Sequence, residues 1–294
     1  MIRIKNLTKD FGHRKGIFDL SLEIQDKEVF GYLGPCKAGK TTTIRQLLGF
    51  TYPTRGRCFI NGKNCHVKQD EIQKFTGYLP EESRLPGNMT GLEFLRFMAQ
   101  MKEIRSIEPA LKLAERFECN PDIKIRKMSI ENKRKVNIIS TFMHDPDVLL
   151  LDEPMNGLGA LMRNRFLDLI LEEKKRGKTI FYATNILDEA EHICDRIGMM
   201  RNGILVIVDD IQSLRALRKK SYTVSFETEQ DVRRFMKENF KVKNIKGCQI
   251  TVELTGIIQP LIQVLNNYTV TGLETQSEGL EEFFTHYYGG DRNA

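Results

Sequence analysis

No two cysteines in this chain stand at C-x-x-C spacing, and the histidines do not cluster with any of the six, Cys36, Cys58, Cys65, Cys119, Cys194 and Cys248. That excludes a zinc-type cysteine site, and a disulfide framework suits neither the length of 294 residues nor a reducing compartment. The thiols are expected reduced and mostly buried as small hydrophobes. No stretch approaches the ~18 apolar residues of a membrane span. The opening "MIRIKNLTKDF" lacks the apolar core of a signal peptide, so a cytoplasmic protein is expected. The net charge of +6 is spread along the chain rather than gathered in a patch. It suits a mildly basic soluble protein, and no nucleic-acid partner is expected. What is present is enough for a core, with 40% hydrophobic and 29% charged residues, in one large domain or two ordinary ones.

Hydrophobic periodicity sorts the first two thirds into strands alternating with helices. "IRIKNLTKDF" and "FDLSLEI" alternate, and "EVFGYLG" is a short apolar run ending in glycine. A helix is predicted from Lys40 through Phe50. In "NMTGLEFLRFMAQMKEI", Thr90 and Glu93 form a capping box, with Leu92, Leu95 and Met98 at helical spacing. Further on, "DVLLLDEP" is an apolar strand ending in two carboxylates, "RFLDLILEEKKRG" a helix and "KTIFYATN" another buried strand. Continuous apolar strands between helices indicate a parallel α/β sheet. The texture changes after Asp210: "SLRALRKK" reads as a basic connector and a solvated helix face. Beyond it, "SYTVSFE", "DVRRFMKENF", "KVKNI", "QITVELT", "IIQPLIQVLNN" and "YTVTGLET" give β-α-β-β-α-β, a ferredoxin-like plan, with a last helix in "GLEEFFTHYY". The predicted domains are 1–212 and 213–294.

"GPCKAGKTT", Gly34 to Thr42, fits the phosphate-loop pattern G-x-x-x-x-G-K-[ST] between a predicted strand and a predicted helix. Successive backbone N–H groups at a helix start cradle an anion. The loop assigns nucleotide contact to Gly34, Pro35, Cys36, Lys37, Ala38, Gly39, Lys40, Thr41 and Thr42, with Lys40 on the β and γ phosphates and the Thr41 hydroxyl on Mg²⁺. In "LLLDEP", Asp152 ends a buried strand and suits a Mg²⁺ partner, and Glu153 suits a base that orients the attacking water. No guanine-specificity motif or kinase catalytic loop is present, so a GTPase or kinase reading fails.

These motifs, in this order, resemble the ATP-binding subunit of an ABC transporter of the multidrug, antibiotic and peptide exporter type, over roughly residues 1–210. Phe11 in "TKDFG" stands where the family has the aromatic that stacks on adenine. "GYLPEE" matches the lid segment, with Glu81, a further Mg²⁺-side residue, where many members have Gln. "NGL", Asn156 to Leu158, matches the loop that crosses the dimer interface, and "RNGILV" the closing hairpin. The resemblance implies a P-loop NTPase α/β core with an antiparallel β subdomain and a helical subdomain at about 82–140, followed by the ferredoxin-like domain. It also implies a homodimer or heterodimer of ATP-binding subunits, and membrane-spanning permease subunits docked near Tyr78 to Phe97. The protein would then lie on the inner face of the cell membrane through the permease.

Four positions depart from the family pattern. The signature segment, usually L-S-G-G-Q, reads "MSIEN": Ser129 survives, but Ile130 and Glu131 replace both glycines, in the segment that contacts ATP in the partner's site. The catalytic switch histidine is Asn185, the interface-loop aspartate is Gly159, and the fourth phosphate-loop residue, usually Gly, is Lys37. A like charge at ~4 Å from a phosphate costs about 1 kcal/mol in water and about 4 at an effective dielectric of 20. A lost hydrogen bond to a charged group is worth roughly 1.5–3 kcal/mol, or about 10- to 200-fold in rate if made only in the transition state. Intact binding with weakened hydrolysis is therefore expected. The alternatives are a nearly inactive regulatory subunit paired with an active cassette, and a soluble ABC ATPase outside transport. The latter usually has two cassettes or a long coiled coil, neither seen here.

Overall fold

The computed structural model describes residues 1–82, 84–217 and 219–277; the helix predicted in "GLEEFFTHYY" lies outside the described residues. The chain divides into two compact units, Met1–Val208 and a second that begins at Asp209. Among the described residues no helix is long and apolar enough to cross a membrane.

In the first unit, β1 (Ile2–Asp10) and β2 (Gly16–Ile24) pair antiparallel, with Ile4 opposite Leu22. β3 (Val29–Leu33) is buried at every position and leads into α1 (Lys40–Leu47). Helix α1 stops before Phe50, the end predicted from sequence. Gly49 takes a left-handed φ of 71° and the Phe50 N–H returns to the Arg45 carbonyl at 2.9 Å, a C-terminal closure that glycine favours. β4 (Arg55–Ile60) and β5 (Lys63–Asn64) complete a four-stranded sheet in the order β2-β1-β4-β5.

Helix α2 (Gln69–Phe75) runs into β6 (Thr76–Leu79). A helical insert follows: α3 (Gly91–Met101), α4 (Glu108–Arg116) and α5 (Ile130–Phe142). Thr90 and Glu93 make the predicted capping box, bonding reciprocally at 3.1 and 2.7 Å. The insert has a core of its own around Leu95, Ala110, Ala114, Val136 and Ile139. Then come β7 (Val148–Asp152), α6 (Ala160–Lys175), β8 (Thr179–Thr184), α7 (Leu187–Ile193), β9 (Arg196–Arg201) and β10 (Ile204–Asp210).

The main sheet has the order β10-β9-β3-β8-β7-β6, and β6, β7, β8, β3 and β9 run parallel. Strands β3, β7 and β8 are buried along their whole length, as their unbroken apolar runs require in a sheet covered on both faces. Their register sets Leu33 beside Thr184 and Asp152 beside Ala183. Three carboxyl ends therefore open on one edge of the sheet, where ligands of parallel α/β sheets bind.

The second unit holds α8 (Ile211–Leu217), β11 (Lys219–Phe226), α9 (Glu229–Phe235), β12 (Lys241–Lys246), β13 (Gln249–Thr255), α10 (Gln259–Leu265) and β14 (Val270–Ser277). Its sheet has the order β12-β13-β11-β14, antiparallel throughout. Val224, Phe226, Phe235, Ile250, Val252 and Leu261 fill its separate core. Part of the predicted basic connector is helix α8, and β11 begins at Lys219, earlier than predicted.

Candidate nucleotide site

The loop between β3 and α1 is anchored by the Gly34 N–H, which donates to the Thr184 carbonyl at the end of β8 at 3.3 Å. It turns into α1 through Gly39, whose φ of 110° and nearness to Ile17 Cγ2 (2.8 Å from an ideal β-carbon) leave no room for a side chain. Lys37 also adopts a left-handed φ of 67°. The family's usual glycine at this position would relieve a strain of about 1–2 kcal/mol. Helix α1 has no acidic residue in its first turn, so its N–H groups face the loop unopposed by a carboxylate of their own helix. Lys40 is buried and folds back over the loop, donating to the carbonyls of Gly34 at 2.6 Å and Pro35 at 3.1 Å. Thr41 and Thr42 are half-buried behind it, and Cys36 is exposed.

From β7, Asp152 and Glu153 enter the same space. The Lys40 Nζ lies 3.0 Å from Glu153 Oε1, and the Asn185 backbone N–H donates to Glu153 Oε2 at 3.3 Å. Glu153 is buried, has φ 43°, and gives its N–H to the Ala183 carbonyl at 2.9 Å. Asp152 has 0% exposure, and neither carboxylate oxygen has a hydrogen-bond partner among the described residues. Burial pushes its pKa up to about 6; the Thr41 hydroxyl and Lys40 oppose this, and the Glu81 and Glu153 carboxylates add to it. Leaving a buried carboxylate unpaired is costly, and a cation would relieve it. Thr41, Asp152 and Glu81 supply hard oxygen donors, as Mg²⁺ prefers. Among the described residues no three His, Cys, Asp or Glu side chains form a metal cluster. Mg²⁺ is commonly held by one or two carboxylates with substrate phosphates and water completing its shell, and this donor set suits that arrangement.

Of the remaining predicted residues, Asn185 reaches the phosphate loop and the others make contacts elsewhere. Phe11 is 55% exposed at the turn after β1, and the Lys9 ammonium lies over one side of its ring, 5.2 Å from the centroid. The Asn185 Nδ2 is 3.9 Å from the Cys36 Sγ, across the mouth of the loop. Ser129, Ile130 and Glu131 begin α5 and make no hydrogen bond or ion pair with the phosphate loop among the described residues. The Ser129 hydroxyl caps α5 by accepting from the Asn132 N–H at 3.2 Å.

Sequence analysis missed Arg134. In "ENKRKV" it looks like one more surface cation, yet it is 2% exposed. Its guanidinium donates to the carbonyls of Pro154 (2.9 Å), Glu153 (2.7 Å), Asp152 (3.4 Å), Glu81 (3.1 Å) and Pro80. Burial lowers its pKa to about 10, so it stays charged at neutral pH. One side chain thus fixes the backbone on both sides of the acidic pair. Glu189 was missed too: it accepts from Tyr182 Oη at 3.1 Å and Thr184 Oγ1 at 2.7 Å, stiffening the end of β8.

An Arg134→Met replacement should leave several of these carbonyls unpaired, at a cost of at least about 3 kcal/mol. In a unit of this size that lowers the melting temperature by roughly 6–12 °C. Differential scanning calorimetry checks it, and Arg134→Lys should recover only a small part, because an ammonium lacks the planar fork.

Comparison with known proteins supports the same picture. The family model described as ABC transporter matches residues 17–156. The chain is similar to an uncharacterized ABC transporter ATP-binding protein of Methanocaldococcus jannaschii, 33% identical over 226 residues, spanning 75% of this chain and 81% of that protein. It is also similar to the bacitracin transport ATP-binding protein of Bacillus licheniformis, 28% identical over 304 residues, spanning 99% and 98%. Among solved structures, an ATP-binding subunit of an ABC transporter superposes with a TM-score of 0.68 at 26% identity, covering 73% of this chain and 92% of that one.

Proposed function

Since this chain belongs to the ABC transporter family, as an ATP-binding ATPase cassette, we propose that it powers an exporter whose membrane-spanning permease subunits are separate chains. The observation that carries this is the convergence of Lys40, the unpaired Asp152 and the doubly held Glu153 on one phosphate loop. ATP supplies the anion that Lys40 and the loop N–H groups accept, and Phe11 offers a face to adenine. Mg²⁺, held by Thr41 and Asp152 with Glu81 nearby, would neutralise phosphate charge. Glu153 is placed to orient water and take up its proton. The likeness to a bacitracin transport protein along almost the whole chain favours export.

A second ATP-binding subunit, identical or different, completes the working dimer. Exposed Ile130 and Leu161 at the starts of α5 and α6 suit such an interface. The permease is assigned to the surface around Tyr78 to Phe97, which places the protein at the inner face of the membrane. Asn185 in place of histidine favours slow hydrolysis, and with it the second reading, a regulatory cassette paired with a faster one. Reconstitution with membrane-spanning permease subunits of the ABC exporter type tests the proposal: ATP turnover should rise on assembly, and a chain that neither associates with such subunits nor responds to them is not their engine.

The second unit is proposed to be a ferredoxin-like accessory domain that takes no part in nucleotide contact. A chain ending at Gln212 should keep ATP affinity within about threefold, under about 0.7 kcal/mol. Isothermal titration of the truncated, still folded protein checks this, and loss of binding would refute it.

A further inference from the structure

Of the two residues that replace the signature glycines, Glu131 is engaged inside its own chain. Ile130 is 77% exposed, but the carboxylate of Glu131 is occupied. Its Oε1 lies 3.0 Å from the Lys135 Nζ one turn along α5, and its Oε2 accepts from the Gly159 backbone N–H at 3.2 Å. The Lys135 ammonium, with help from the Gly159 N–H, holds this carboxyl below the usual glutamate range.

Gly159 is the N-cap of α6. It offers no side-chain cap, and α6 has no acid in its first turn. A helix start presents unpaired N–H groups and partial positive charge. The anion that answers them here comes from a different helix. The fit is close: a β-carbon on Gly159 would stand 3.2 Å from Glu131 Oε2, and one on Gly157 3.2 Å from Ile130 Cγ2. The two departures from the family pattern are therefore one arrangement. Glu131 occupies the space beside position 159, and an aspartate there would bring two carboxylates together.

We propose that Glu131 is a positioning residue that fastens the interface loop, Asn156 to Gly159, to the helix beginning at the signature segment. The loop follows directly on Glu153 and Pro154, whose carbonyls are held by Arg134 of the same helix. Helix α5 thus grips the chain downstream of Glu153 at two points, one on each side of Asn156. The consequence has a sign. Sequence comparison sets the Glu131 charge against a partner's nucleotide, so its removal should speed turnover. A carboxylate already committed to Lys135 and Gly159 predicts that its removal slows turnover. This rests on the ATPase reading above, and the test keeps the two apart.

Hydrogen exchange of residues 155–163 is measured on the full chain without nucleotide, alongside steady-state ATP hydrolysis. Glu131→Ala should speed exchange there by roughly tenfold, about what one charged hydrogen bond supports. It should also lower kcat by about fivefold or more, with KM for ATP changed less than about twofold, the pattern of a group felt only at the chemical step. Glu131→Gln keeps an acceptor for Gly159 and should recover most of both. Gly159→Asp should loosen the same segment by like-charge contact. Combined with Glu131→Ala it should restore protection, because the new aspartate supplies the anion at the cap. Unchanged exchange in Glu131→Ala, or faster turnover than the parent, would overturn the proposal. So would a double variant no better protected than either single one. A parent chain with no ATP turnover at all would fail the ATPase reading, and exchange would still decide the contact.

Discussion

Lys40→Ala is expected to weaken ATP binding by at least about 100-fold, because it removes the one buried ammonium at the phosphate loop. Within its own chain that ammonium has three partners, two loop carbonyls and Glu153. The substitution should also harm the empty protein, since Glu153 would be left buried beside the unpaired Asp152. Breaking a buried pair by removing one partner costs about 3–5 kcal/mol. The two effects can be separated. Lys40→Ala with Glu153→Gln removes the orphaned charge as well as the lysine, so it should melt closer to the parent while still failing to bind ATP. Isothermal titration and a thermal melt on the parent, single and double variants give all the values needed. If Lys40→Ala titrates like the parent, Gly34 to Thr42 is not the nucleotide site.

The buried runs "VFGYL", "VLLLD" and "TIFYAT" were legible as strands because continuous burial leaves a continuous apolar sequence. The phosphate loop was legible because its chemistry is local: glycine geometry, lysine and threonine lie within one turn. Thr90 and Glu93 were legible for the same reason. Arg134 and Glu131 were not, because what they do depends on carbonyls and an N–H group that are distant in sequence. Nothing in "IENKRKV" tells a cation that fans across five carbonyls from one that meets only water. The early stop of α1 was missed for a subtler reason. "LLGF" keeps its apolar character past the helix end, and only the left-handed Gly49 shows that the chain has turned. The strand β4 was passed over because "RGRCFI" mixes arginine and glycine into a short edge-like run that carries little alternation.

Asn185 sets the last and most quantitative expectation. Its backbone N–H holds Glu153, a contact any residue could make, while the one hydrogen-bond partner of its side chain among the described residues is the Cys36 sulfur, 3.9 Å away. A side chain with so weak a partner loses little when replaced. Histidine at this position is longer and can carry a proton, so Asn185→His should raise turnover by about tenfold or more, the value of one hydrogen bond to a charged group made in the transition state. Ile130→Gly acts elsewhere, letting the backbone at the exposed start of α5 come closer to a partner's phosphate, and the two together should exceed either alone. Glu131 is best left in place for this comparison, given its hold on Gly159. Glu153→Gln supplies the control. It keeps the size of the side chain but removes the carboxylate proposed to accept the proton of the attacking water. Turnover should fall by about 10²–10⁴-fold in the parent and in Asn185→His alike, with ATP still bound. A stopped-time phosphate release assay on the six proteins gives the ratios. Parent turnover of several per second that Asn185→His does not change would mean that Asn185 is no defect. Appreciable hydrolysis surviving Glu153→Gln would mean that the base lies elsewhere.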